Sequence, residues 1–101
     1  MDVTIRSAPG ATEIRLHGRL TYGATEAFRA ALDGMAGPAG HGVVVDLGAL
    51  EFLDSSGIGM LIVARDLARK RGLAFTLRAG AGDLERLPAL ARWRDLFALS
   101  E

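Results

Sequence analysis

Apolar and polar residues alternate over residues 2–6 and again over 13–17. Alternation with a period of two predicts strands with one face in water, and Pro9-Gly10 between the two segments indicates a turn, so we expect a hairpin. A continuous apolar run at 43–45 predicts a strand that is buried on both faces. Residues 73–77 carry a further apolar segment of strand length.

Three other segments have apolar residues at helical spacing. Residues 24–35 predict an amphipathic helix, and residues 57–71 predict a second helix that grades from apolar to charged before it stops at Gly72. A third helix is expected at 83–90, begun by Asp83 as its cap and limited or kinked by Pro88.

The remaining segments predict connections between these elements. Residues 34–42 form a glycine-rich loop, 79–82 a flexible link, and 96–99 a short strand or helical turn. The strand–helix–strand unit over 43–77 implies a parallel strand pair with a right-handed crossover. We therefore expect a single α/β domain over residues 1–101, with a mixed four- to five-stranded sheet packed with α-helices.

Composition narrows the possible functions. The chain has 101 residues, twelve basic and twelve acidic, and no cysteine. Balanced charge disfavours nucleic acid as a partner, and the lack of cysteine rules out disulfides and thiolate metal sites. The first residues lack the pattern of a signal peptide, and the longest apolar runs are too short to span a bilayer. We expect a soluble, cytoplasmic domain with no metal or other cofactor and no direct membrane insertion.

The candidate chemistry lies in Asp54-Ser55-Ser56-Gly57, between the buried strand and the long helix. Aspartate and serine are residue types that cap helices, because their oxygens accept hydrogen bonds from the first free N–H groups. The alternative is that one of the two serines is chemically modified. The residues alone leave both interpretations open.

The helix that follows divides into two faces when residues are placed at 100° intervals. The core-facing stripe comprises Gly57, Met60, Leu61, Ala64, Leu67 and Ala68. Ile58, Gly59 and Ile62 fall on the opposite side, with Asp66 and other charged residues. Either another segment covers the two isoleucines, or they form a small docking surface for another protein. We take Ile58, Gly59, Ile62 and Asp66 as the candidate partner-binding residues.

Catalysis by a serine nucleophile is a poor fit to this sequence. The Gly-x-Ser-x-Gly pattern lacks its first glycine, since Leu53 stands two residues before Ser55. His17 is expected on an outward strand position and His41 in the glycine-rich loop, where each is a surface residue rather than a base. Asp46, at the end of the buried strand, is expected to tie down the following turn. We therefore expect no enzymatic activity.

The chain resembles the STAS family over nearly its whole length, and in particular the anti-sigma factor antagonists. The strand–loop–helix segments Val43-Val44-Val45-Asp46-Leu47 and Phe52-Leu53-Asp54-Ser55-Ser56-Gly57-Ile58-Gly59 match its signature position by position. Gly18-Arg19-Leu20, Ala68-Arg69-Lys70-Arg71-Gly72 and Asp95-Leu96-Phe97 also fit.

This resemblance implies a phosphoserine switch in which Ser56 takes the phosphate and Asp54, Ser55 and Gly57 form the phosphosite loop. It implies as partners a serine kinase of the GHKL type, which also acts as anti-sigma factor, and a PP2C-type phosphatase. The alternative is an interaction subunit, either of a lipid-transport ABC complex or of a larger signalling assembly, in which the serine is never phosphorylated.

Overall fold

The computed structural model describes residues 1–35, 37–38 and 40–100. Its centre is a six-stranded mixed sheet. The strands are β1 (Asp2–Ala8), β2 (Ala11–Leu20), β3 (Gly42–Asp46), β4 (Leu50–Leu53), β5 (Ala74–Arg78) and β6 (Leu99–Ser100). Five of them lie in the order β1-β2-β3-β5-β6, and β4 pairs with the end of β2.

The first two strands form the expected antiparallel hairpin, and every other strand pair is parallel. The hairpin turns at Gly10, whose φ of 73° lies in the left-handed region that glycine adopts without strain. β3 pairs along residues 11–15 of β2, and β4 pairs along 18–20 after a shift of register. The predicted mixed α/β class is confirmed, with six strands instead of four or five.

Four α-helices accompany the sheet: α1 (Thr25–Leu32), α2 (Ser55–Lys70), α3 (Ala81–Arg86) and α4 (Pro88–Trp93). Short 3-10 turns cover Tyr22–Ala24 and Arg94–Leu96. None of the four α-helices combines the length and the apolar character that crossing a lipid bilayer demands.

All three predicted helices differ in extent from the observed ones, and the second, predicted at 57–71, differs least, since α2 spans Ser55–Lys70. The first was expected at 24–35 and occupies a shorter range, while Ala36 and Ala39 of the predicted loop 34–42 lie outside the described residues. The predicted helix at 83–90 is two helices, because Pro88 has no N–H to continue the first and instead begins the second. Asp83 is not the cap: it lies in the first turn of α3, and its Oδ2 accepts from the N–H of Gly80 at 2.9 Å.

The two faces of the sheet differ in polarity. Most side chains directed at the helices are buried and apolar, and they form the core with residues of α1 and α2: Ile14, Leu16, Leu20, Val43, Val45, Leu47, Leu77, Phe28, Leu32, Leu61 and Ala64. The intervening positions carry charged residues that face outward, among them Glu13, Asp46 and Arg78. As predicted, Asp46 fixes the turn after β3, because its Oδ1 accepts from the N–H of Gly48 at 2.8 Å.

Candidate functional site

The N-terminal turn of α2 presents the two serines. Asp54 is the N-cap residue, with extended backbone angles, and its Oδ1 accepts from the N–H of Gly57 at 2.9 Å. This bond satisfies one of the amide groups that a helix start leaves without a partner, so the predicted capping role of Asp54 is confirmed. Ser55 and Ser56 occupy the first two helical positions, and both are exposed. Both hydroxyls are therefore accessible to a modifying enzyme.

Gly57 fixes how closely α2 approaches the sheet. A Cβ atom placed on this residue would lie 2.3 Å from the carbonyl oxygen of Leu20 and 2.4 Å from Cδ1 of Leu53. Leu20 and Leu53 are paired residues of β2 and β4. The helix therefore rests directly on the end of this strand pair, and the position of the serines depends on a residue without a side chain.

An open apolar groove of about 490 Å³ lies beside Ser56, between α1 and α2. It is lined by Tyr22, Thr25, Phe28, Arg29, Leu32, Ser56, Gly59, Met60 and Val63. Tyr22 and Val63 are 79% and 59% exposed, a high value for large apolar side chains. A Cβ atom placed on Gly59 would have no neighbouring atom within 4 Å. This surface, called the α1–α2 groove below, is wide and without cover from the described residues.

The charge of the groove comes from one side chain. Among the described residues that line it, Arg29 alone carries a formal charge, and it takes part in no ion pair within the described part of the chain. The unmodified groove is therefore apolar with a single positive charge on its wall.

The predicted partner-binding face of α2 requires correction. Ile58 is buried, with 4% of its surface exposed, and Ile62 is partly buried against the core. Placing Ile58 on the exposed side was wrong. Gly59 and Asp66 are exposed as expected, and whether they bind a partner stays a prediction.

The C-terminal segment explains the burial on this side of α2. The helix contacts α4, and Arg65, on the same side as Ile58, donates from Nη1 to the carbonyl oxygen of Leu96 at 2.6 Å. The guanidinium group of Arg65 also lies over the ring of Phe97, 5.9 Å from its centre. A helical projection of α2 alone could not include this cover.

On the side of Ser56, the apolar positions of α2 that line the groove are Gly59 and Val63, which are exposed, and Met60, which is partly buried against the core. These four residues have the spacing i, i+3, i+4, i+7, which places them on one helix face. Sequence reasoning missed this face because it did not consider Val63. Its placement of Met60 in the core stripe is right in part, since Met60 packs against the core and also lines the groove. The regular spacing from Ser56 was the available signal.

Each of the two histidines is within hydrogen-bonding distance of a threonine hydroxyl in β1 or β2. Nε2 of His17 is 3.3 Å from the hydroxyl of Thr4, and Nε2 of His41 is 3.2 Å from that of Thr12. Within the described residues neither ring is bonded to Ser55 or Ser56. In this arrangement neither histidine is placed as a general base for Ser55 or Ser56.

Comparison with known proteins places this geometry in context. A family model described as "Mlab, STAS domain" matches residues 3–99. A STAS-domain containing protein of Pseudomonas aeruginosa is 32% identical over 87 residues, covering 86% of this chain and 85% of that protein.

Solved structures share the fold at lower identity. An anti-sigma factor antagonist from Mycobacterium paratuberculosis superposes with a TM-score of 0.76 at 22% identity, over 97% of this chain and 83% of the other. The anti-sigma factor antagonist SpoIIAA in its unphosphorylated form gives 0.71 at 18% identity, over 99% and 88%.

Proposed function

Because the chain belongs to the STAS domain family, we propose that it is a non-enzymatic switch protein of the anti-sigma factor antagonist kind, controlled by phosphorylation of Ser56. In the unmodified state it binds a regulatory kinase or anti-sigma factor of the GHKL type through the α1–α2 groove. A PP2C-type phosphatase restores this state. The observation that carries the proposal is an exposed serine, Ser56, among the residues that line an open apolar groove.

The charge of the groove gives the switch a physical basis. A phosphate carries about −1.5 to −2 charges at neutral pH, so on Ser56 it would change the groove from +1, due to Arg29, to roughly −0.5 to −1. An acidic and apolar partner segment is attracted by the first state and repelled by the second. Arg29 offsets only part of the phosphate charge, and burying the remaining negative charge against an acidic partner costs about 2–5 kcal/mol, which corresponds to about 30- to several-thousand-fold in affinity.

The fold itself should tolerate the phosphate. Ser56 lies in the first turn of α2, where the helix dipole favours an anion by about 0.3–1 kcal/mol, while the nearby carboxylate of Asp54 repels it. Ser56 is exposed, so screening by water and salt keeps both effects small. Phosphorylation therefore changes binding much more than folding.

The test begins with the site of modification. The protein purified from its own cells, and the recombinant protein treated with candidate GHKL-type kinases and ATP, are mapped by phosphopeptide mass spectrometry. Ser55→Ala is the matched control, because Ser55 is also exposed but is not among the residues that line the groove. Phosphate on Ser56 that persists in Ser55→Ala supports the proposal. Phosphate on Ser55 alone transfers the switch to the neighbouring residue.

The second part of the test uses the kinase that phosphorylates the protein in the first part and measures its binding by calorimetry. Ser56→Ala should bind like the unmodified protein, whereas Ser56→Glu and Val63→Asp should bind at least 30-fold more weakly with unchanged thermal unfolding. Glu85→Arg, an exposed change on α3, is the control. Equal affinity of Ser56→Ala and Ser56→Glu would show that Ser56 serves only the helix start.

A second candidate function is a permanent interaction subunit, as expected for a STAS subunit of a lipid-transport ABC complex. It is favoured by the description of the matching family model, which names Mlab and not an anti-sigma factor antagonist. In that case the groove stays occupied and no phosphate is found on either serine. Val63→Asp would then release the chain from its complex, while Ser56→Ala and Ser56→Glu would both remain in it.

A further inference from the structure

β1 forms one edge of the sheet. It pairs along its length with β2, and within the described residues no strand pairs with its outer side. An edge strand presents a row of free N–H and C=O groups, which is a template for pairing with another strand. β1 contains no proline, five of its seven residues are exposed, and Ile5 has 48% of its surface in water.

The sequence of β1 is complementary to itself in one register. We propose that two copies of this chain associate by antiparallel pairing of their β1 edges, with Thr4 at the two-fold axis. This register places Asp2 of each copy opposite Arg6 of the other, and Val3 opposite Ile5. The opposite charges face each other on the outward side of the sheet and the apolar pair on the helix side, as favourable cross-strand pairs do.

The charged groups are available for this contact. Asp2 is exposed and takes part in no ion pair within the described residues. Arg6 binds Glu13 through Nε and Nη2, yet its side chain remains 73% exposed. Its Nη1 group therefore still has donors for the carboxylate of Asp2 from the second copy.

The other possible registers lack this complementarity. A two-fold axis perpendicular to the sheet places residues of the same sheet face opposite each other. One β1 strand can therefore slide along the other only in steps of two residues. A pair centred on Val3 leaves Arg6 without an opposite residue in β1. A pair centred on Ile5 places Arg6 opposite Thr4 and Asp2 opposite Ala8. The Thr4-centred register is the one that forms both ion pairs.

The expected assembly is a weak and closed dimer. Because the contact uses only the seven residues of β1 in each copy, we expect it to bury less than the roughly 1,000 Å² of a stable interface, so that association depends on concentration. The interface uses the same edge of both copies, so pairing stops at two.

Sedimentation equilibrium of the full chain, from about 10 µM to about 1 mM, tests the proposal over the range of weak association. The unaltered protein should show a reversible monomer–dimer equilibrium. Asp2→Arg places arginine opposite Arg6, and Arg6→Asp places aspartate opposite Asp2, so each variant alone should be monomeric. An equimolar mixture of the two forms both ion pairs again and should dimerise as well as the unaltered protein. Glu85→Arg is the control and should dimerise normally.

Amide hydrogen exchange provides a second measurement that does not depend on the variants. In the unaltered protein, exchange of the β1 amides should slow as concentration rises, while the other strands stay unchanged. A protein that is monomeric throughout the range would overturn the proposal. So would a mixture of the two variants that stays monomeric, or a dimer lost in Val63→Asp but not in Asp2→Arg, which would place the contact in the α1–α2 groove. These outcomes leave the proposed switch function untouched.

Discussion

Replacing Gly57 with alanine is the sharpest test of how α2 is placed. The added Cβ would lie 2.3 Å from the carbonyl oxygen of Leu20, far inside normal contact distance. Cδ1 of Leu53, at 2.4 Å, can move by rotation of its side chain. The carbonyl oxygen cannot, because its residue is paired with β4. Removing the clash with this oxygen therefore requires α2 to move away from the end of the β2–β4 strand pair.

The size of the effect follows from two opposing terms. Overpacking of this kind typically costs 1–3 kcal/mol. Alanine gains up to about 1 kcal/mol over glycine in a helix interior. We expect Gly57→Ala to lower the free energy of unfolding by about 1–2 kcal/mol. For a chain of this size that lowers the melting temperature by roughly 5–15 °C.

Gly59→Ala is the matched control, in the same helix and two residues further on. Nothing lies within 4 Å of its added Cβ, so only the helix gain remains and stability should rise by up to about 1 kcal/mol. Both variants change the unfolded chain in the same way, so their difference isolates the contact with Leu20. Urea unfolding followed by circular dichroism measures it. If the two variants are equally stable, the close approach of α2 to β2 is wrong.

Three further changes test the bonds around this helix and its neighbours. Asp54→Ala removes the N-cap of α2 and should cost about 1 kcal/mol in urea unfolding, whereas Asp54→Asn should retain most of it. Arg86→Gln loses charge-assisted hydrogen bonds to carbonyl oxygens of the 47–50 segment and should cost about 1–2 kcal/mol by the same measurement. Hydrogen bonds from the N–H of Gly80 and from the guanidinium of Arg86 lower the pKa of Asp83 in the folded protein. The ionised carboxylate therefore stabilises the fold above the unfolded pKa near 4, and this stabilisation is lost as pH falls below it. Asp83→Asn should therefore flatten the fall of stability between about pH 5 and pH 3.

The fold could be predicted wherever it depends on short stretches of sequence. The hairpin and the cap motif at Asp54 arise from residues close in the chain, and both are confirmed. The strand at 43–45 exists as predicted, but its predicted burial on both faces is wrong, because Val44 is only partly buried and shares the outward face with Asp46. β4 was missed because Leu50-Glu51-Phe52-Leu53 has too few residues to show a period. It exists because β2 extends past β3 and offers a free edge to residues 50–53.

The candidate site was predicted in part. The exposed serines follow from the cap motif, but the side of α2 that partners can reach depends on what the rest of the chain covers. The C-terminal segment, some 30 residues later, covers the Ile58 side through Arg65 and Phe97. The opposite side stays open as the wall of the α1–α2 groove, whose residue Tyr22, in the 3-10 turn before α1, is largely exposed.

The two proposed contact surfaces lie on different sides of α1, because this helix packs against both β1 and α2. Pairing at the β1 edge therefore leaves the α1–α2 groove of each copy open. A dimer then presents two identical grooves, and a partner with two binding segments gains affinity from the second contact, commonly by 10²- to 10⁴-fold when the geometry allows both. A phosphate on Ser56 of one copy removes that gain as well as one contact. Weak self-association would thus make the response to phosphorylation steeper than a single groove can provide.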